Sequence, residues 1–352
     1  MKTFLYNLYK NIETKERRLL YLFFEITRKC CLDCLHCGSD CKSDSAYPEI
    51  DTDGWLKIAS YIKKKFAPPP FIAITGGEPL LRRDLPLIGK TLTSNGIGWG
   101  IVTNGFLLDK TKMEELIASG IKSMTISLDG DEESHNFLRN NKLSYERALN
   151  SIKIAAGSGI DMFDVVTCVF QDNLDKLDTI ANILLDSGVQ YWRLFRIFPI
   201  GRAKNNERLR LDYNNTWKMI NWVKDNKKKY KAKGLTINLS CEGYLPMQTD
   251  LKVRDAPFFC RAGVNIASIL SDGTITGCSN NGESFYEGNI TKDDLLYVWR
   301  NRFKNFRDKS WLKDKICADC SHLKNCRGSS IHLWDLNRKS PYFCYMKEEI
   351  LT

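Results

Sequence analysis

"LLYLFFEITRKCCLDCLHCGSDC", residues 19–41, joins a largely apolar eight-residue run to five cysteines placed within twelve positions. The apolar run (19–26) reads as a buried strand, and the thiols crowd at its end. Disulfides, a zinc site and an iron–sulfur cluster each account for such crowding. Elsewhere no stretch approaches the roughly eighteen consecutive apolar residues of a membrane span. The charged, helix-like segment Met1–Arg18 carries no small-residue cleavage site. Both features predict a cytoplasmic protein with no membrane partner. In that reducing compartment structural disulfides are disfavoured, and an odd count of thirteen cysteines in tight clusters fits metal or redox chemistry better.

Working outward from the first run, short apolar segments alternate with helical patterns. Further strands are expected at 71–75 ("FIAIT"), 99–103 ("WGIVT"), 123–128 ("SMTISL"), 164–170 ("DVVTCVF") and 191–197 ("YWRLFRI"). Helices are expected at 52–66, 110–119, 144–158 and 173–186. Strict alternation of this kind requires parallel strands with helical crossovers. Six units are visible, fewer than a closed eightfold barrel needs, so the expected fold is α/β, a partial (β/α)6 barrel of the TIM type. After Arg202 the rhythm breaks, and beyond Pro257 the chain is rich in Cys, Gly, Asn and aromatic residues. The expected organisation is an N-terminal helical segment (1–18), a core domain (19–235) and a small cysteine-rich, metal-stapled domain (236–352).

The net charge of +10 concentrates in "KDNKKKYKAK" (224–233), which reads as the solvated end of an amphipathic helix. No interleaving of aromatic and basic residues points to nucleic acid.

Each strand is followed by unusual residues. The cysteines follow the first, "GGEP" (76–79) the second, "NG" (104–105) the third and "DG" (129–130) the fourth. All therefore gather at the carboxyl ends of parallel strands, where α/β sheets place ligand sites. Gly76 and Gly77 would let backbone groups approach a ligand closely, and Pro79 fixes the exit of that turn. Glu78 and Asp129 could accept hydrogen bonds from an amine or from ribose hydroxyls. Cys30, Cys34 and Cys37 form CxxxCxxC, and three closely spaced thiolates can leave one iron of a cubane open to another ligand.

CxxxCxxC after a first strand, with "GGEP", "TNG" and "SLDG" at later strand ends, resembles the radical S-adenosylmethionine (SAM) superfamily. The resemblance implies that the three cysteines hold a [4Fe–4S] cluster whose fourth iron is chelated by SAM. Reductive cleavage of SAM would then yield a 5′-deoxyadenosyl radical that abstracts hydrogen from the substrate. It further implies that Gly76, Gly77 and Glu78 face the SAM amino group, with Pro79 and Asn104 in the same binding set. Ser127 and Asp129 would face ribose or methionine, Arg139 the carboxylate, and His36 the adenine. A zinc site built from Cys30, Cys34, Cys37 and Cys41 would leave "GGEP" and "SLDG" unexplained.

The later cysteines, Cys260, Cys278, Cys317, Cys320, Cys326 and Cys344, resemble the SPASM extension of many radical SAM maturases, which holds auxiliary iron–sulfur clusters. Zinc is the competing reading for this group. Two positions depart from that pattern: Ser330 stands where a further cysteine is usual, and "RDAPFF" lacks one before Cys260. Cys317, Cys320, Cys326 and Cys344 can complete one auxiliary [4Fe–4S] cluster. The second auxiliary site is left with Cys260 and Cys278.

The resemblance implies an oxidoreductase-type maturase that acts on a peptide or protein side chain and draws electrons from a flavodoxin or ferredoxin. A small-molecule or cofactor-biosynthesis enzyme is the alternative, as is sulfatase-maturase-like oxidation. The last loses ground because "CSNNGES" (278–284) offers Ser279 and a more distant Glu283 where that group has an Asp.

Overall fold

Residues 2–350 are described by the computed structural model. The first apolar run forms β1 (Tyr21–Glu25), with Leu22 and Phe24 wholly buried on one face. It pairs in parallel with β2 (Phe71–Thr75), and the series continues through β3 (Trp99–Thr103), β4 (Ser123–Ser127), β5 (Met162–Val169), β6 (Tyr191–Arg196) and β7 (Thr236–Leu239).

Helices supply the crossovers. After α1 (Lys2–Glu16) come α2 (Thr52–Lys65), α3 (Leu85–Ser94), α4 (Lys110–Ala118), α5 (Glu132–Arg139), α6 (Ser144–Ala156), α7 (Gln171–Leu174), α8 (Leu177–Asp186) and α9 (Tyr213–Ala232). In α2 the Asp51 carboxylate caps the first turn by accepting from the Gly54 N–H, and the last turn carries Lys63, Lys64 and Lys65. Trp55, Ile58, Ala59 and Ile62 form its buried stripe. Trp55 packs on Phe24 of β1 with ring centroids 4.8 Å apart.

Three features differ from expectation. First, the parallel series has seven strands rather than six, because β7 follows the lysine-rich end of α9 and is too short to stand out. Second, the helix expected over 173–186 is broken into α7 and α8. Asn173 accepts from the Phe170 N–H and donates to the Asp129 and Cys168 carbonyls, so its side chain caps rather than continues a helix.

Third, the sheet does not stop at the cysteine-rich region. β8 (Ile266–Ile269) adds in parallel to the free side of β1, and β9 (Thr274–Thr276) and β10 (Tyr286–Asn289) follow antiparallel. The strand order is β10-β9-β8-β1-β2-β3-β4-β5-β6-β7, an open mixed sheet of ten strands. One continuous core runs from Leu22 and Phe24 to Trp299, Phe306, Trp334 and Tyr345.

Candidate functional site

Backbone geometry at the carboxyl edge brings "GGEP" against the cysteine loop. The Gly77 N–H donates to the Thr27 carbonyl at 2.7 Å and the Glu78 N–H to the Lys29 carbonyl at 2.9 Å, extending the β1–β2 pairing toward Cys30. A Cβ on Gly76 would lie 2.4 Å from the Thr27 oxygen, and one on Gly77 2.2 Å from the Lys29 oxygen. Both glycines are therefore required by the chain's own backbone as well as lining the cavity.

The cysteine loop closes on itself where the Cys30 N–H donates to the Lys42 carbonyl at 3.1 Å. Arg202 straps its far side: Nε donates to the Cys34 carbonyl at 2.7 Å and Nη1 to the Cys41 carbonyl at 3.0 Å.

A cavity opens here, and its lining includes Cys30, Cys34, Cys37, His36, Gly76, Gly77, Asn104, Ser127 and Arg139. Glu78, Pro79 and Asp129 stand behind that lining. Glu78 is fully buried and accepts from the Leu80 N–H, the Thr103 hydroxyl and the Asn104 N–H at 3.0, 2.8 and 2.8 Å. Burial pushes its carboxyl pKa up, against those three donors. These bonds tie the turn after β2 to the end of β3. Pro79 is likewise buried, opening a short 3-10 turn.

Asp129 is also spent on the protein. It accepts from Arg139 Nε at 2.6 Å and from the Cys168 N–H at 2.8 Å. Burial opposes its ionisation, but the Arg139 guanidinium and the Cys168 N–H hold its pKa below the ordinary carboxylate value. Through its bond with Nε, Asp129 orients Arg139, which lines the cavity. His135, unremarked in the sequence, completes this unit. Its Nδ1 accepts from the Asp129 N–H at 2.9 Å, so Nε2 carries the proton toward Ser144 Oγ at 3.0 Å. Burial lowers its pKa to about 3 and keeps the ring neutral.

Each of the three thiols meets a donor. Asn104 Nδ2 reaches Cys30 Sγ at 3.6 Å, Arg139 Nη1 reaches Cys34 Sγ at 3.8 Å, and the Cys41 N–H reaches Cys37 Sγ at 3.3 Å. A hydrogen bond from the Cys41 thiol, opposed by burial and helped by the Cys41 N–H and Arg202, brings Cys37 down to about 6. Donors aimed at sulfur suit thiolates that ligate iron. The Arg202 strap and the Cys41 contacts escaped sequence reading because both join residues whose partners only the fold reveals.

In the C-terminal region Cys317 lies within electrostatic reach of Cys320, Cys326 and Cys344, and Cys344 within reach of Cys320 and Cys326. Burial and the like charge of Cys344 and Cys317 push the Cys326 thiol up to about 12. Burial, then Cys344 and Cys320, acts likewise on Cys317. None of the thirteen cysteines is joined in a disulfide.

Residues 24–184 match the radical SAM superfamily, and residues 260–321 match an iron–sulfur cluster-binding domain, SPASM. This chain is a radical SAM enzyme with a C-terminal SPASM domain. It is 26% identical to an AdoMet-dependent heme synthase of Methanosarcina barkeri, over 92% of this chain and 95% of that protein. Mycofactocin maturase MftC of Mycolicibacterium smegmatis is also 26% identical, over 90% and 80% of the two chains. Streptococcus suis SuiB bound to S-adenosylmethionine shares the fold with a TM-score of 0.71 at 18% identity, covering 93% of this chain and 76% of SuiB. The cofactors of this radical SAM/SPASM enzyme are accordingly SAM and [4Fe–4S] clusters. When bound, the cluster and SAM supply the radical. The residues described here hold the thiolates, orient Arg139 and shape the cavity.

Proposed function

We propose that this radical SAM enzyme modifies a side chain of a peptide or protein held in a second chamber beside the first. The two chambers share Gly38, Ser39 and Asn280. Chamber composition carries the reading. Its lining contains the carboxylates Glu25, Glu283 and Asp335 and the amides Asn280, Asn281 and Asn337, with Arg28 as its lysine- or arginine-type cation. Asn281 and His332 are buried, and both amide atoms of Asn281 and the Nε2 of His332 lack a protein partner. Unpartnered amide and imidazole groups match the N–H and C=O groups of a peptide.

A tetrapyrrole substrate is the second reading, favoured by the end-to-end similarity to AdoMet-dependent heme synthase. A polycarboxylate macrocycle would set its anions against Glu283 and Asp335 of the chamber. Arg28 offers little relief, since it is already engaged with the Ser39 carbonyl and lies over the Tyr47 ring, 4.3 Å from its centroid. In this reading a reduced flavodoxin or ferredoxin supplies the electron, and the substrate reaches the first chamber past Gly38 and Ser39.

Anaerobic titration with Fe-coproporphyrin III, followed by absorbance, separates the two. No binding, together with 5′-deoxyadenosine release stimulated by a precursor peptide encoded beside the gene, is expected. Tight, saturable porphyrin binding would reverse the assignment.

A further inference from the structure

Only Cys260 and Cys278 are left for a second auxiliary cluster by the pattern of the C-terminal cysteines, and the fold brings them a third thiol from outside that region. Cys241 lies in the turn just after β7. Its neighbour Glu242 is fully buried and pins this turn, accepting from the Arg196 N–H at the end of β6 and from the Tyr345 hydroxyl at 2.9 Å. Ser330 Oγ donates to the Cys241 carbonyl at 3.1 Å, and Ser329 Oγ accepts from the Tyr244 N–H at 2.9 Å. One residue further on, the Ile331 N–H donates to Cys260 Sγ at 3.5 Å. The segment 329–331 therefore touches the Cys241 turn on one side and the Cys260 sulfur on the other. Cys278 completes the group: Cys278, Glu242 and Cys260 all lie within electrostatic reach of the Cys241 thiol, and Cys260 within reach of Cys278. Cys241 itself is exposed.

We propose that Cys241, Cys260 and Cys278 together hold a second auxiliary iron–sulfur cluster, one iron of which has no cysteine ligand. Ser330, fully buried beside Cys241, stands where the pattern has a further cysteine, and its hydroxyl is committed to the Cys241 carbonyl. That iron is left to a small added donor such as an imidazole or a thiol. Asp255 is excluded from the role because it is tied to Lys227 at 2.9 Å and to Asn238 at 2.7 Å. The proposal rests on the SPASM region being a cluster domain, and the test separates the two.

In a full-length Cys30, Cys34 and Cys37 triple Ala variant, anaerobic reconstitution should leave about eight irons per chain, as two auxiliary clusters require. Adding Cys241→Ala should lower this to about four, whereas adding Cys168→Ala, on core strand β5, should leave about eight. About four irons in the triple variant itself, or no loss with Cys241→Ala, overturns the third-ligand assignment. Almost no iron in the triple variant overturns the cluster-domain reading instead. Ser330→Cys guards against misfolding as the cause of iron loss. It should keep iron at about eight while abolishing the change that imidazole induces in the electron paramagnetic resonance spectrum of the reduced triple variant. An imidazole response that survives Ser330→Cys overturns the open-iron assignment.

Discussion

Glu25 ends β1 at a position where strand alternation in a parallel sheet would place an apolar side chain, yet it is a carboxylate only 4% exposed. Burial raises its pKa from 4.5 to about 7, while Arg28 and the Ser271 N–H pull it down and Asp272 adds to the rise. Folding thus takes up a proton that the unfolded chain would release. Stability from this residue falls as pH rises from about 4.5 to about 7, by up to roughly 3 kcal/mol. Glu25→Gln should therefore melt within a degree or so of the parent near pH 5 and several degrees above it at pH 8, measured on iron-loaded protein without oxygen. A melting difference that is the same at both pH values would show that Glu25 ionises normally. The same scale separates motif from role. "GGEP" and "SLDG" mark the site in the sequence, but whether Glu78 and Asp129 touch a ligand or brace those that do depends on hydrogen bonds to Thr103, Asn104 and Cys168. Those partners lie 25 to 39 residues away.

Among elements, the cysteine loop is held by pieces that its own sequence does not contain. Gly201 sits at φ +55°, and a Cβ there would lie 2.3 Å from the Cys37 carbonyl oxygen. Its neighbour Arg202 makes the strap to Cys34 and Cys41. Gly201→Ala faces both left-handed strain and a backbone clash, a cost of about 1–3 kcal/mol that displaces either this turn or the Cys37 segment. The variant should fold, yet lose its SAM-site iron several times faster than the parent to a chelator, with the auxiliary clusters unaffected. Equal rates of iron loss would show that the strap does not hold the loop. The strands β2 and β3 were legible to the residue because Phe71–Thr75 and Trp99–Thr103 are continuous apolar runs between turn residues. β7 was not, since four residues after a lysine-rich helix carry little periodicity.

For the whole molecule, the pairing of β8 with β1 makes the core and the cysteine-rich region parts of one sheet. A chain ending near residue 258 would keep β1 to β7 but leave the backbone of Tyr21–Phe24 unpaired along one edge. Exposed edges of this kind recruit other chains. Such a truncation should elute as aggregate on size exclusion, where the full-length protein elutes as a discrete species. A monodisperse truncated core would show that the core stands without β8. The expected division at 235/236 separates β6 from β7, which pair over Tyr191–Leu194 and Thr236–Leu239. We therefore place the end of the core after β7.

The alternation of the first six parallel strands with helical crossovers, the CxxxCxxC spacing and the gathering of "GGEP", "NG" and "DG" at one sheet edge were determined by the sequence by itself. Each follows from local periodicity and from the rule that parallel strands end on the same side. Only the tertiary structure decided which residues line the cavity and which stand behind it. It also placed Arg202 across the cysteine loop and set Cys241 beside Cys260 and Cys278. These are contacts between residues far apart in the chain, and their geometry is set by how the sheet packs and pairs, which no local pattern encodes.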